Sequence, residues 1–260
     1  MRLFFVVLAS ALFLGGCVSS ESTVTTKNSG SGNSTQFDPK GASETRVKLA
    51  LVYLRNDNME SAKQNLDKAL EYQPNSANVL RIFAYYYQRV NENETAEQYY
   101  KKSLRVDPKN ADTYNNYGTF LCKLERYEEA EKAFLKAIDQ TSYTNVANTY
   151  ENAAVCAEKA QVTEKAIFYF QYALSHNPNK FYINLSLAKL NIDKKDYSAA
   201  RLNLFNYQKQ GKTSAESLWQ WIRLSYATGK GASLSKYAGE LLEQFPDSQR
   251  ALDYLNHEYY

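Results

Sequence analysis

The sequence predicts an all-α protein, a solenoid of about six stacked helix-turn-helix units, and three observations carry that prediction. The first is punctuation. Pro74 and Pro108 lie 34 residues apart, and Pro178 and Pro246 lie 68 apart, one and two periods of a single repeat. The second is the recurrence of small residues. Ala62, Ala96 and Ala130 keep the period of 34, and Ala166 and Ala200 continue it after one offset of 36. Ala69, Ser103, Ala137 and Ala173 repeat in step, as do Ala50, Ala84, Gly118, Ala154 and Ala188. The third is composition. Among 260 residues there are only 10 Gly and 5 Pro, against 22 Tyr and abundant Ala, Leu, Lys and Glu. Strand proteins need more turn punctuation than that, so helix is favoured. Apolar residues make up 44% and charged residues 23%, the balance of a soluble globular chain. With 31 basic and 28 acidic residues, charge gives no reason to expect nucleic acid as a partner.

The chain opens on a different signal. Met1-Arg2 supplies positive charge, and LFFVVLASALFL, residues 3–14, is an almost unbroken apolar run. It is too short for a bilayer span, which needs roughly 20 residues, and suits the apolar region of an export signal. Leu14-Gly15-Gly16-Cys17 resembles the bacterial lipobox: an aliphatic residue, two small residues and a cysteine. The resemblance implies that residues 1–16 are removed and that Cys17 becomes the acylated first residue. Several acyl chains anchor stably where one is marginal. An ordinary export signal with a chance cysteine is the alternative. Val18 follows rather than Asp. By resemblance to sorting in enteric-type bacteria, this implies the outer membrane, with the chain facing the periplasm. Residues 17–42 are rich in Ser, Thr, Gly and Asn and hold little to bury, so they read as a flexible tether. The repeat domain then runs from 43 to 260.

Each unit follows one physical plan. A first helix packs on a second, and small residues at the crossing let the backbones approach. Tyr100, Phe134 and Phe170 fill the next layer, and Pro74, Pro108 and Pro178 end the second helix. The stretch ADTYNNYGTFLCKLERYEEAEKAFLKAIDQ, residues 111–140, shows the plan most clearly. The small positions resemble those of the tetratricopeptide repeat. Aligned on them, the units are 43–76, 77–110, 111–144, 147–180, 181–214 and 215–248. The last two are weaker. The sixth has Leu234 where the others have Ala and reads as a cap, with 249–258 as a final solvating helix.

The repeat resemblance implies a right-handed superhelix whose inner groove is lined by positions 2, 5, 9, 12 and 13 of each first helix. Those positions give Val47, Leu51, Leu54 and Arg55 in unit one, Arg81, Tyr85, Gln88 and Arg89 in unit two, and Asn115, Thr119 and Lys123 in unit three. The first unit offers an apolar patch and the second a mixed aromatic and basic one. Such a surface suits an amphipathic helix or an extended segment of a protein partner. The alternative is that Val47, Leu51 and Leu54 pack beneath an amino-terminal segment. The carboxylate clamp of co-chaperone relatives needs Lys and Asn where Val47 and Leu51 stand.

Cys122 and Cys156 fall on consecutive first helices, neighbours about one helix diameter apart. In an oxidising compartment they can bridge units three and four, contributing roughly 3–4 kcal/mol by loop closure. Two buried free thiols are the alternative. His176 and His257 are the only histidines, and His176 stands near a helix end, where a His commonly meets the last carbonyls. There is no cluster with metal-ligand spacing, no GxSxG turn and no complete phosphate loop, so the sequence implies neither enzyme activity, nor a metal, nor a cofactor.

Lipobox, polar tether and five or six tetratricopeptide repeats together resemble the type IV pilus biogenesis and stability lipoproteins, the secretin pilotins. The most specific stretch is Tyr114-Asn115-Asn116-Tyr117-Gly118-Thr119-Phe120-Leu121-Cys122, followed by Tyr127 and Glu128-Glu129-Ala130. The resemblance implies a disulfide between Cys122 and Cys156. It also implies binding of outer-membrane secretin subunits and contact with other pilus assembly proteins. On this reading Leu51→Glu or Leu54→Glu abolishes secretin binding without unfolding the array. A lipoprotein scaffold for cell-wall enzymes or for outer-membrane barrel assembly is the other reading.

Overall fold

The computed structural model describes residues 37–259; Cys17, the expected export signal over 1–16 and the expected tether up to residue 36 lie outside the described residues. The described residues form thirteen helices and no strand. Twelve make six antiparallel pairs: α1 (Pro39–Arg55) with α2 (Met59–Tyr72), α3 (Ala77–Arg89) with α4 (Asn93–Val106), and α5 (Ala111–Lys123) with α6 (Tyr127–Ile138). The pairing continues with α7 (Val146–Lys159) and α8 (Thr163–His176), α9 (Ile183–Asp193) and α10 (Tyr197–Gln208), and α11 (Ala215–Ala227) and α12 (Gly231–Gln244). A last helix, α13 (Gln249–Leu255), packs on α11 and α12 and ends three residues short of the helix expected over 249–258.

Residues 39–42 are helical rather than tether. Asp38 accepts a hydrogen bond from the Lys40 amide and Pro39 opens the first turn, so α1 starts four residues before the repeat boundary. Similar caps start later helices: Ser76 for α3, Asn110 for α5, Asp196 for α10, and a reciprocal Ser214–Ser217 pair for α11.

The turn inside each pair is one motif used six times. Asp57, Asn91, Glu125, Gln161, Lys195 and Gly229 all take a left-handed backbone, with φ between 55° and 67°. The next residue returns its amide to a carbonyl five positions back, as in Arg126 to Leu121 at 3.0 Å and Val162 to Ala157 at 2.9 Å. This is the Schellman ending of a helix, which closes its free carbonyls. Only one of the six positions is Gly, so the bonds and the tight crossing hold the others in a conformation that L side chains disfavour.

The repeated small residues sit where the two helices of a pair cross: Ala62, Ala96, Ala130, Ala166 and Ala200 are all completely buried. Gly118 allows the closest approach. A Cβ there would stand 2.7 Å from the Phe134 ring and 3.1 Å from the Ala130 carbonyl. Apolar layers run along the array, with Tyr100, Phe120, Phe134 and Phe170 filling the middle and Leu218, Ile222, Leu241 and Ala251 closing the end.

The first helices pack successively, α1 on α3, α3 on α5, α5 on α7, and α9 on α11. The stack opens between α7 and α9, which make no direct backbone approach. Long side chains span that gap, Lys189 to Glu158 at 2.6 Å and Lys180 to Glu151 at 2.6 Å. Phe181 and Tyr182 occupy the turn that delays the start of α9.

Candidate protein-binding groove

Helical periodicity divides the expected groove residues of α1. Val47, Ala50 and Leu54 lie at i, i+3 and i+7, a single stripe of the helix. That stripe packs into the first core with Leu66, Val79, Ile82 and Phe83, and leaves Val47 4% and Leu54 0% exposed. Val47 and Leu54 are therefore core residues and not groove residues. The same burial corrects the expectation for Leu54→Glu, since a carboxylate there enters a closed apolar layer. Leu51 is half-buried at the edge of this core and Arg55 is exposed. The apolar surface of α1 is completed by Leu49 and Val52, at 40% and 42% exposure.

On α3, Arg89 works as a brace. Its guanidinium donates to the Leu54 carbonyl at 3.0 Å and pairs with Asp57, tying unit two to the end of α1. Tyr85 stands beside it, its hydroxyl 3.4 Å away, half-buried against the first core. Arg81 donates to Asn78 at 2.6 Å. Burial pushes the Arg81 guanidinium below its usual pKa, while Asp112 across the unit boundary pulls the other way. It remains a cation, because an arginine does not lose its proton in proteins.

Gln88, Thr119 and Lys123 come together. With Glu151, Asn152, Val155 and Lys159 of α7 they line a cavity of about 290 Å³ on the face shared by α3, α5 and α7. Cys122 and Phe134 form its wall. Asn152 donates to Asn115 at 3.0 Å, which places Asn115 at the α5–α7 junction. The Thr119 hydroxyl bonds back to the Asn115 carbonyl at 3.1 Å. The cysteines join α5 to α7 here: Cys122 and Cys156 form a disulfide with Cα atoms 5.8 Å apart, within the span such a bond requires.

The groove expected from the sequence stops at unit three and leaves out α7. The signal for it was present. Glu151, Val155 and Lys159 occupy positions 5, 9 and 13 of unit four, the same positions that supply Asn115, Thr119 and Lys123.

Charge in the cavity is uneven. The Glu151 carboxylate is taken up by Lys180 at 2.6 Å and by the Tyr182 hydroxyl at 3.1 Å. Burial opposes the Lys180 charge, but these bonds outweigh it and raise its pKa. Lys123 and Lys159 make no ion pair among the described residues. The groove therefore presents two available cations, amide and hydroxyl groups suited to a peptide backbone, and an exposed apolar contact at Val155.

Comparison with known proteins agrees with this architecture. The tetratricopeptide repeat family matches residues 43–76, 82–110 and 99–132. The type IV pilus assembly protein PilF of Pseudomonas aeruginosa is 32% identical over 245 residues, 93% of each chain. A solved structure of Pseudomonas aeruginosa pilF superposes with a TM-score of 0.71 at 30% identity, covering 84% of this chain and 99% of that one. The crystal structure of PilW, described as a widely conserved type IV pilus biogenesis factor, also gives 0.71, at 25% identity over 82% of this chain and 98% of its own. With the repeat solenoid and the end-to-end match to PilF, the chain belongs to the tetratricopeptide-repeat family of type IV pilus biogenesis proteins.

Proposed function

We propose that this chain is a lipid-anchored pilotin. Cys17 carries acyl chains into the outer membrane, the solenoid faces the periplasm, and the groove over α1, α3, α5 and α7 grips a segment of the type IV pilus secretin. The secretin subunits are thereby brought to the outer membrane and assembled there, and pilus biogenesis or stability depends on that step. The observation that carries this reading is the match to PilF over 93% of both chains, taken with a groove built to hold a peptide. Two lysines, the amides of Gln88 and Asn152 and the Val155 side chain in the cavity, with half-buried Leu51 on α1, suit an extended segment carrying apolar and acidic residues.

The first experiment is secretin multimerisation in a deletion strain, read on a gel that preserves the heat-stable ring, with membranes fractionated. The ring is expected to be lost or to stay in the inner membrane, and Cys17→Ala is expected to reproduce the mislocalisation. Normal rings at the outer membrane would remove the pilotin reading and favour a scaffold for other envelope machinery. Within the groove, Leu51→Glu and Val155→Glu are expected to weaken secretin capture at least about tenfold with the fold retained, since both side chains reach solvent. Leu54→Glu is expected instead to unfold the first unit, at a cost of several kcal/mol. Circular dichroism melting of the purified variants separates the two effects.

A further inference from the structure

A second hollow lies between α6 and α8, with α7 as its floor, and shares the Phe134 ring with the groove cavity. Its origin is visible at the seventh position of each first helix. Units two, three, five and six place Phe83, Tyr117, Leu187 and Trp221 there, and unit four places Ala153. Two further positions shrink in step: Leu121 and Leu124 of unit three become Ala157 and Ala160. The result is a cavity of about 180 Å³.

The preceding interface shows what belongs in such a space. There the Tyr117 ring stands 5.4 Å from the Tyr100 ring, and its hydroxyl donates to Glu97 at 2.8 Å. One repeat later the same walls recur, Phe134 in place of Tyr100 and Glu131 in place of Glu97, but the seventh position brings no ring, and the hydroxyl that reaches the carboxylate comes from Tyr169 of α8. Glu131 is held in position by Lys165 at 2.7 Å and the Tyr169 hydroxyl at 2.6 Å. The hollow is the space beside the Ala153 methyl, bounded by the rings of Tyr127, Phe134 and Tyr169, an aromatic-walled seat. A cavity of roughly 150 Å³ already accepts a benzene ring. Exposed Glu128, Val162 and Lys165 open it to solvent. Glu128 makes no ion pair among the described residues, so two carboxylates face one lysine and the mouth carries net negative charge.

We propose that this seat receives one aromatic side chain, tyrosine or phenylalanine, from a protein partner, on a segment whose flanking residues are basic. A buried aromatic anchor in a preformed pocket is the form that dominant contacts take at protein interfaces. The occupancy of the seat does not depend on the partner being a secretin.

The test is a titration of the full chain, labelled at alanine methyl groups, with acetyl-Lys-Tyr-Lys-amide. Saturable shifts are expected at the Ala153 and Ala157 methyls. Acetyl-Lys-Ala-Lys-amide and acetyl-Glu-Tyr-Glu-amide are each expected to bind at least about tenfold more weakly. Ala153→Phe and, separately, Ala157→Leu fill the seat and are expected to remove the shifts of the remaining alanine with melting temperature kept or raised. If Ala153→Phe fails to fold, Ala157→Leu carries the test. The proposal is overturned by three results: no saturable shift at millimolar peptide, equal affinity for the Tyr and Ala peptides, or shifts that survive in a folded, filled variant.

Discussion

Gly118 shows how much one hydrogen atom decides in this solenoid. Its missing side chain lets α5 press against the buried Phe134 ring and Ala130 carbonyl. Alanine favours a helix over glycine by about 1 kcal/mol, but overpacking typically costs 1–3. Gly118→Ala is therefore expected to lower stability by up to about 2 kcal/mol in urea denaturation, and an unchanged midpoint would mean that the ring can swing aside. Glu97 works through charge. Hydrogen bonds from Arg126, Lys101 and Tyr117, opposed by burial, hold its carboxyl at about 2 instead of 4.5. A depressed folded value means that the unfolded chain takes the proton more readily. The stabilisation is thus complete above pH 4.5 and is lost as pH falls towards 2. Its full size is on the order of 3 kcal/mol, reduced by solvent because Arg126 is about one-third exposed. Glu97→Gln is expected to flatten stability against pH in that window, as measured by chemical denaturation at a series of pH values.

At the scale of elements, the turns and the disulfide carry the interest. Glu125, Gln161 and Lys195 hold left-handed backbones at 60° to 66°. Glycine relieves about 1–2 kcal/mol of steric cost there and gives back part of it as unfolded-state entropy. Gln161→Gly, at the exposed turn between α7 and α8, is expected to raise stability by about 0.5–1 kcal/mol; a lowered melting temperature would count against the motif's strain. The Cys122–Cys156 bond closes a loop of 34 residues across the irregular junction of units three and four. Its reduction is expected to cost roughly 3–4 kcal/mol by loop entropy. Hydrogen exchange in α5 and α7 should rise first, because the bond joins those two helices. Uniform exchange across all units after reduction would place its stabilising effect elsewhere.

Across the whole molecule, what was legible followed from periodicity. The recurrence of small residues at 34, with one step of 36, marks helix crossings, because only small side chains permit them. The helices fall where that recurrence places them, apart from the residues of α1 that precede Ser43 and the start of α9, delayed to Ile183. The shape of the groove was less legible. Val47 and Leu54 occupy groove positions by repeat register, yet the first core absorbs them, since the apolar stripe of α1 packs inward on Leu66, Val79, Ile82 and Phe83. The α7 side of the groove was readable by continuing the same register into unit four. Three features arise only in the folded chain: the opening between α7 and α9, the neutralisation of Glu151 by Lys180, and the hollow beside Ala153. The sequence by itself determined the repeat, the helices and the register of their small residues, because these depend on local spacing and on what a close crossing tolerates. Which side chains reach solvent, which charges are left over and where packing leaves space were decided only by the tertiary structure, because each depends on neighbours that are distant along the chain.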